Sequence, residues 1–370
     1  MTRKLSQLLG IAVFCVVLNH AANYGFNALF FWTNRYLPVT VPNFDQYGSP
    51  AYWGLTLIKR FIVMAVPVFL FVSGYFIAFA TRKDAKTVGW DIIKSRTLFL
   101  LVPYLIWSTF IFLFNAVAYH QIDTPQVYLL KLLTGGATGA YYYIPLIIQC
   151  YALSRWLVPW ARKHWPSLLG VTAVLLIGLE GTRYFLLLTT APEWLRTLSR
   201  LFPIWFFPKR IFWFALGIVL GFHSSQLRPF LIRYRWLFAA GTLTFYITSI
   251  IEFEWLIQQS GRDWLEAFLM LSSILYALFF ILTFISFPKI QLPCKELWAT
   301  LGSKAFAVYL LNALALEFTG RILYEFAPVA LGNQLIYQPI MIAGGLGLPL
   351  LLVWLVQKSP LRPYTRYLFG

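Results

Sequence analysis

Apolar runs of bilayer-crossing length recur from one end of this chain to the other, separated by short basic connections. A helix needs about 20 predominantly apolar residues to cross the hydrocarbon layer. In lipid every backbone N–H and C=O must be satisfied within the protein, and runs of this length achieve that as α-helices. The runs fall at approximately 5–24, 61–80, 97–118, 140–158, 167–188, 204–222, 236–256, 264–286, 302–323 and 335–357. They predict an all-α, polytopic membrane protein with about ten transmembrane helices. No connection is long enough to hold a separate domain, so residues 1–370 read as one transmembrane domain.

Charge sets the orientation. Only 12% of the 370 residues are charged, and 30 Lys and Arg stand against 13 Asp and Glu. In a soluble protein that excess would suggest nucleic acid. Here it sits in the connections, where topology and anionic headgroups account for it, so nucleic acid is not an expected partner. With the N-terminus inside, 19 of the 30 basic residues face the cytoplasm, which places both termini there. Arg3 and Lys4 before an apolar core look like a signal peptide. The length of the run, its Asn19 and His20, and the lack of a small-x-small cleavage site favour a retained first span. Cys15, Cys150 and Cys294 are odd in number and lack metal-ligand spacing, so neither a disulfide nor a metal site is expected.

The chemistry-bearing residues are few. His20, beside Asn19, lies in an otherwise apolar span. An imidazole there is costly unless it faces a partner, a cavity or a substrate, and it is well suited to accept a hydroxyl proton as that oxygen attacks a carbonyl. A structural histidine bonded between helices accounts for it equally well. In the stretch from Arg60 to Tyr75, Pro67 can break one backbone bond and Ser73-Gly74 offers a polar, approachable backbone. Arg60 reads either as a pathway residue or as a snorkelling arginine at the outer end. The basic residues from Arg82 onward can hold the phosphates of a nucleotide-bearing donor. Positive-inside bias explains most of them, and Arg96, nearest the start of the third helix, stands apart. Tyr141, Tyr142 and Tyr143 can line a sugar-binding vestibule or belong to an interfacial belt. Lys209 and Arg210 can meet an anionic acceptor or lie at the interface. Glu180 and Arg183 form an i, i+3 pair, and Asn312 and Glu317 are buried-polar candidates. Gly217 with Gly221, and the cluster Gly344, Gly345 and Gly347, read as helix-packing positions. Residues 25–58 form the longest connection, a lid or an irregular loop.

Several stretches, in order, resemble the acyltransferase 3 family of multi-spanning membrane acyltransferases. VVLNHA is similar to that family's first helix with its catalytic histidine, and AVPVFLFVSGY to its VP-x-F-F-x-x-SGY segment. SRTLFLLVPYLIW resembles its arginine-containing third helix, YYYIPLIIQCY its HLWF stretch, IFWFALGIVLG its F-x-x-G-x-x-x-G helix, and LGSKAFAVYLLN its late LG-x-x-S-x-x-x-YL-x-H segment. Leu9 stands where the family has an arginine eleven residues before the histidine, and Asn312 replaces the late histidine.

The resemblance implies a multi-pass enzyme of the inner (cytoplasmic) membrane. It would move an acyl group, commonly acetyl, from acyl-CoA to a hydroxyl of a sugar, polysaccharide or lipid-linked glycan. It implies His20, beside Asn19, as the catalytic centre. On this view Arg96, Ser73 and Tyr75 belong to the donor side; the reading of the residues themselves adds Arg82 there and assigns Arg60, Tyr142, Lys209, Arg210 and Asn312 to the acceptor side. Acyl-CoA is a substrate on this view, with no permanently bound cofactor. The alternative is a divergent, non-catalytic member acting in export or flipping of a glycan or lipid intermediate.

Overall fold

The computed structural model describes residues 2–81, 85–190, 192–261, 270–288 and 291–370, and among them all regular structure is helical. Helix α1 covers Thr2–Phe26 and runs on into a π-helical turn, Asn27–Phe31. Ser49 caps α2 (Pro50–Phe61) by accepting from the Tyr52 N–H at 3.2 Å. Pro50 fills the first turn, where its missing N–H would have no partner anyway. A 3₁₀ turn, Ile62–Met64, leads into α3 (Ala65–Ala80). The interruption falls one turn before Pro67, which lacks the N–H that would bind the Val63 carbonyl. The second helical stretch therefore begins eleven residues earlier than the hydropathy run at 61. Arg60 accordingly sits near the middle of the stretch, not at its outer end.

Beyond α4 (Trp90–Tyr119) come the short α5 (Pro125–Thr134), α6 (Tyr143–Lys163) and α7 (Trp165–Leu188). The short α8 (Glu193–Leu201) precedes α9 (Ile211–Phe222), α10 (Ser224–Arg233), α11 (Arg235–Ser260) and α12 (Leu271–Ser286). Finally α13 (Lys295–Ser303), α14 (Ala305–Phe326), α15 (Gln334–Lys358) and α16 (Thr365–Phe369) complete the chain. Among the described residues, 7 helical stretches are long and apolar enough to cross a membrane: Arg3–Phe31, Pro50–Ala80, Trp90–Tyr119, Trp165–Leu188, Arg235–Ser260, Ala305–Phe326 and Gln334–Lys358. Helix also occupies much of the other three expected spans, of which residues 264–269 lie outside the described residues. There α9 and α12 are 12 and 16 residues long, and α6 carries Arg155, Arg162 and Lys163.

Two compact units result, one from Met1–Ala65 with Cys294–Gly370, the other from Val66–Pro293. In the first, α1 lies along α13 with backbones nearly touching. A Cβ on Gly10 would fall 2.0 Å from the Trp298 carbonyl oxygen, and one on Gly302 would fall 1.9 Å from that of Ser6. Gly344 and Gly345 receive Thr319, and Val17 with Leu316, respectively, so these glycines serve packing as expected. The connection after α1 is folded on its own aromatic rings: Phe30 meets Phe44 and Tyr47 at 5.6 and 5.5 Å, and Tyr47 meets Tyr52 at 4.8 Å. In the second unit α3 and α9 cross at Gly74 and Gly217, each facing a backbone carbonyl of the other helix, with Gly221 against Ala78.

Candidate functional site

His20 is half-buried on α1 and makes no hydrogen bond to a described residue. A structural histidine of this kind would engage both ring nitrogens with neighbouring groups. Lys59 of α2 stands beside it, close enough for its charge to act on the imidazole. The ammonium is buried, 5% exposed, and donates to Asn19 Oδ1 and Asn23 Oδ1 at 2.7 Å each. Asn19 and Asn23 are i, i+4 and share one face of α1, which is why a single amine spans both. An ammonium has three N–H donors, and the third finds no partner among the described residues. Arg60, the next residue, is 1% exposed, so it does not snorkel. Two adjacent cations buried this way carry a desolvation cost of several kcal/mol each. Such a cost is characteristic of functional residues in membrane spans.

Elsewhere in the first unit, Asn312 is fully buried. Its amide donates to Val308 O at 3.0 Å and Tyr309 O at 2.6 Å, while Oδ1 is buried with no partner among the described residues. That oxygen remains able to accept a hydrogen bond. Glu317 accepts from the Tyr24 hydroxyl and from Arg321 Nε, the latter at 2.8 Å, which ties α14 to α1.

The second unit holds two further groups. Arg96 lies over the Tyr151 ring with its guanidinium carbon 6.0 Å from the centroid, and donates to Phe76 O at a long 3.5 Å. Tyr151 neighbours Tyr143, which shares a hydrogen bond with Ser73. Arg96 and Ser73 are thus linked through two tyrosines, and Tyr75 is buried one turn before Phe79 on the same helix. Arg82 lies outside the described residues. Nearby cations are engaged structurally: Arg162 donates to Ala85 O at 2.6 Å, and Arg155 stacks 5.1 Å from the Trp90 centroid.

The other group gathers Tyr142, Glu180, Arg183, Lys209 and Arg210, whose charges act on one another. Lys209 and Arg210 are 6% and 4% exposed and Glu180 is fully buried, so neither cation lies at an exposed interface. Tyr141 and Tyr143 are also buried, Tyr141 against Tyr104 and Tyr143 against Phe69, at 5.6 and 5.9 Å. They are core residues and not an exposed belt.

Lys59 and Asn23 are the members of the His20 cluster that sequence reasoning passes over. Two signals point to them: the Asn19-x-x-x-Asn23 spacing, and the Ser49-Pro50 cap, which moves Lys59 from the edge of a span to its interior.

A family model described as an acyltransferase domain matches residues 5–355, essentially the whole chain. No curated protein and no solved structure matches it.

Proposed function

Because the chain belongs to this family of membrane acyltransferases, we propose that it transfers an acyl group, commonly acetyl, from acyl-CoA to a hydroxyl of a sugar, polysaccharide or lipid-linked glycan. The observation that carries the proposal is the His20 cluster: an imidazole with no hydrogen-bond partner among the described residues, beside a buried ammonium held by Asn19 and Asn23.

On this proposal His20 accepts the proton of the acceptor hydroxyl as its oxygen attacks the thioester carbon. Negative charge then collects on the former carbonyl oxygen. The free N–H of Lys59 is a fixed donor for it, in surroundings where water does not screen the interaction. The tetrahedral species collapses with loss of the C–S bond, and the proton on His20 passes to the departing thiolate. Asn19 and Asn23 hold the ammonium in position throughout. Arg96, with Ser73, Tyr75 and Arg82, serves the cytoplasmic donor. Arg60, Tyr142, Lys209, Arg210 and Asn312 serve the acceptor.

The enzyme would lie in the inner membrane with ten helices and both termini in the cytoplasm. Calorimetric titration of acetyl-CoA into purified protein in nanodiscs tests the donor half. Saturable binding weakened in Arg96→Ala is expected. No binding of acetyl-CoA or of longer acyl-CoAs by folded protein refutes the donor and favours a transport function.

A further inference from the structure

The buried group around Lys209 is unbalanced in two ways at once. Two buried cations, Lys209 and Arg210, and the partly exposed Arg183 gather with one carboxylate, Glu180. A surplus of buried positive charge is costly unless an anion complements it. The hydrogen bonds are incomplete as well. Among the described residues Arg210 Nε is buried without a hydrogen-bond partner, and so are both oxygens of Glu180, since its ion pair with Arg183 is 3.6 Å long. Charge-assisted hydrogen bonds run near 2.7–2.9 Å, so that pair does not satisfy the carboxylate. Trp213, one turn along from Arg210, adds another buried donor without a partner among the described residues, Nε1.

Unmet donors and unmet acceptors in one cluster identify the chemistry that would complete it. An anionic group would take the N–H donors of Lys209 and Arg210, and hydroxyl groups would donate to Glu180. Tyr142 and Arg183 are only partly buried, so the cluster retains an accessible side that carries the Tyr142 phenol.

We infer that Tyr142, Glu180, Lys209 and Arg210 form a binding site for a hydroxyl-bearing molecule carrying one carboxylate or phosphate. Taking that molecule to be the acceptor rests on the acyltransferase reading; the anion-and-hydroxyl chemistry does not. The enzyme's acceptor is then an acidic or phosphorylated sugar unit, or a lipid-borne one.

The test is calorimetric titration of full-length protein in zwitterionic nanodiscs with glucuronate, glucose 6-phosphate and glucose, with no acyl donor present. Wild type is expected to bind at least one anionic sugar about tenfold or more tightly than glucose. Lys209→Gln with Arg210→Gln should abolish that preference, Lys209→Arg should keep it, and Glu180→Gln should tighten binding of the anion. Nanodiscs containing phosphatidylglycerol distinguish the sources: competition assigns the site to a lipid-borne phosphate, and no competition assigns it to the soluble sugar anion. Equal binding of glucose and both anions by wild type, or binding of none, overturns the inference even if the double variant fails to fold. Because no turnover is involved, either result leaves the His20 chemistry to be judged separately, by His20-dependent acyl-CoA consumption.

Discussion

Lys59→Met separates catalysis from packing at the His20 cluster. Methionine nearly matches the lysine stem and removes only the ammonium. Two 2.7 Å bonds to Asn19 and Asn23 disappear, each contributing about 1.5–3 kcal/mol as hydrogen bonds to a charged group. Against that, the variant no longer buries a cation, which recovers several kcal/mol of desolvation. The two effects oppose each other, so folding stability should change by about 2 kcal/mol or less. Catalysis has no such offset. Removing one donor to a developing oxyanion costs about 2.7–4 kcal/mol, or 10²–10³ in kcat. Thiol release from acyl-CoA in the presence of acceptor gives kcat per folded molecule, and thermal unfolding in the same nanodiscs gives stability. A large fall in kcat with a nearly unchanged Tm is expected. A kcat within tenfold of wild type, or a loss accounted for by unfolding, would refute the electrostatic role of Lys59.

His20→Ala should abolish acyl transfer while membrane abundance, read by immunoblot, stays near wild type; full activity in that variant removes His20 from the chemistry. Arg96→Ala should raise the donor KM with kcat changed less, read from initial rates over a range of acyl-CoA concentrations. Gly217→Val should cost roughly 1–3 kcal/mol or more through overpacking, because the new Cβ would meet the Phe71 carbonyl oxygen at 2.0 Å. It should lower Tm, whereas Gly347→Ala, with nothing within 4 Å of the new Cβ, should not.

Much of this architecture is written in local pattern. Hydropathy locates each long helix, Pro67 marks the interruption upstream of α3, and Gly217 with Gly221 marks a close crossing. His20 stands out because an imidazole is conspicuous in an apolar run. What hydropathy alone misses is where a helix starts once polar residues enter it. The run at 61 is only the apolar half of the Pro50–Ala80 stretch, and that displacement hides Lys59 and Arg60 at an apparent edge. The Gly10–Gly302 contact is illegible for another reason: it joins positions far apart in sequence, one of them at the end of a short helix just before a long one. The tyrosine triplet fits a vestibule or an interfacial belt as sequence, and packing against Tyr104 and Phe69 shows Tyr141 and Tyr143 to be in the core instead.

The close fit of α1 on α13 also bears on how the protein is made. A chain inserted N-terminus first brings α1 into the bilayer before the residues that complete its packing exist. Gly10 must wait for Gly302 while all of residues 11–301 are synthesised. The second unit is continuous in sequence and has no such delay. In the interval Asn19 and Asn23 can already engage Lys59 once α2 has followed α1, which shields polar groups that lipid would otherwise face. The ammonium proposed as the oxyanion donor would then also be an early clasp during biogenesis, and long-range pairing of this kind would make closure of the first unit the late step of assembly.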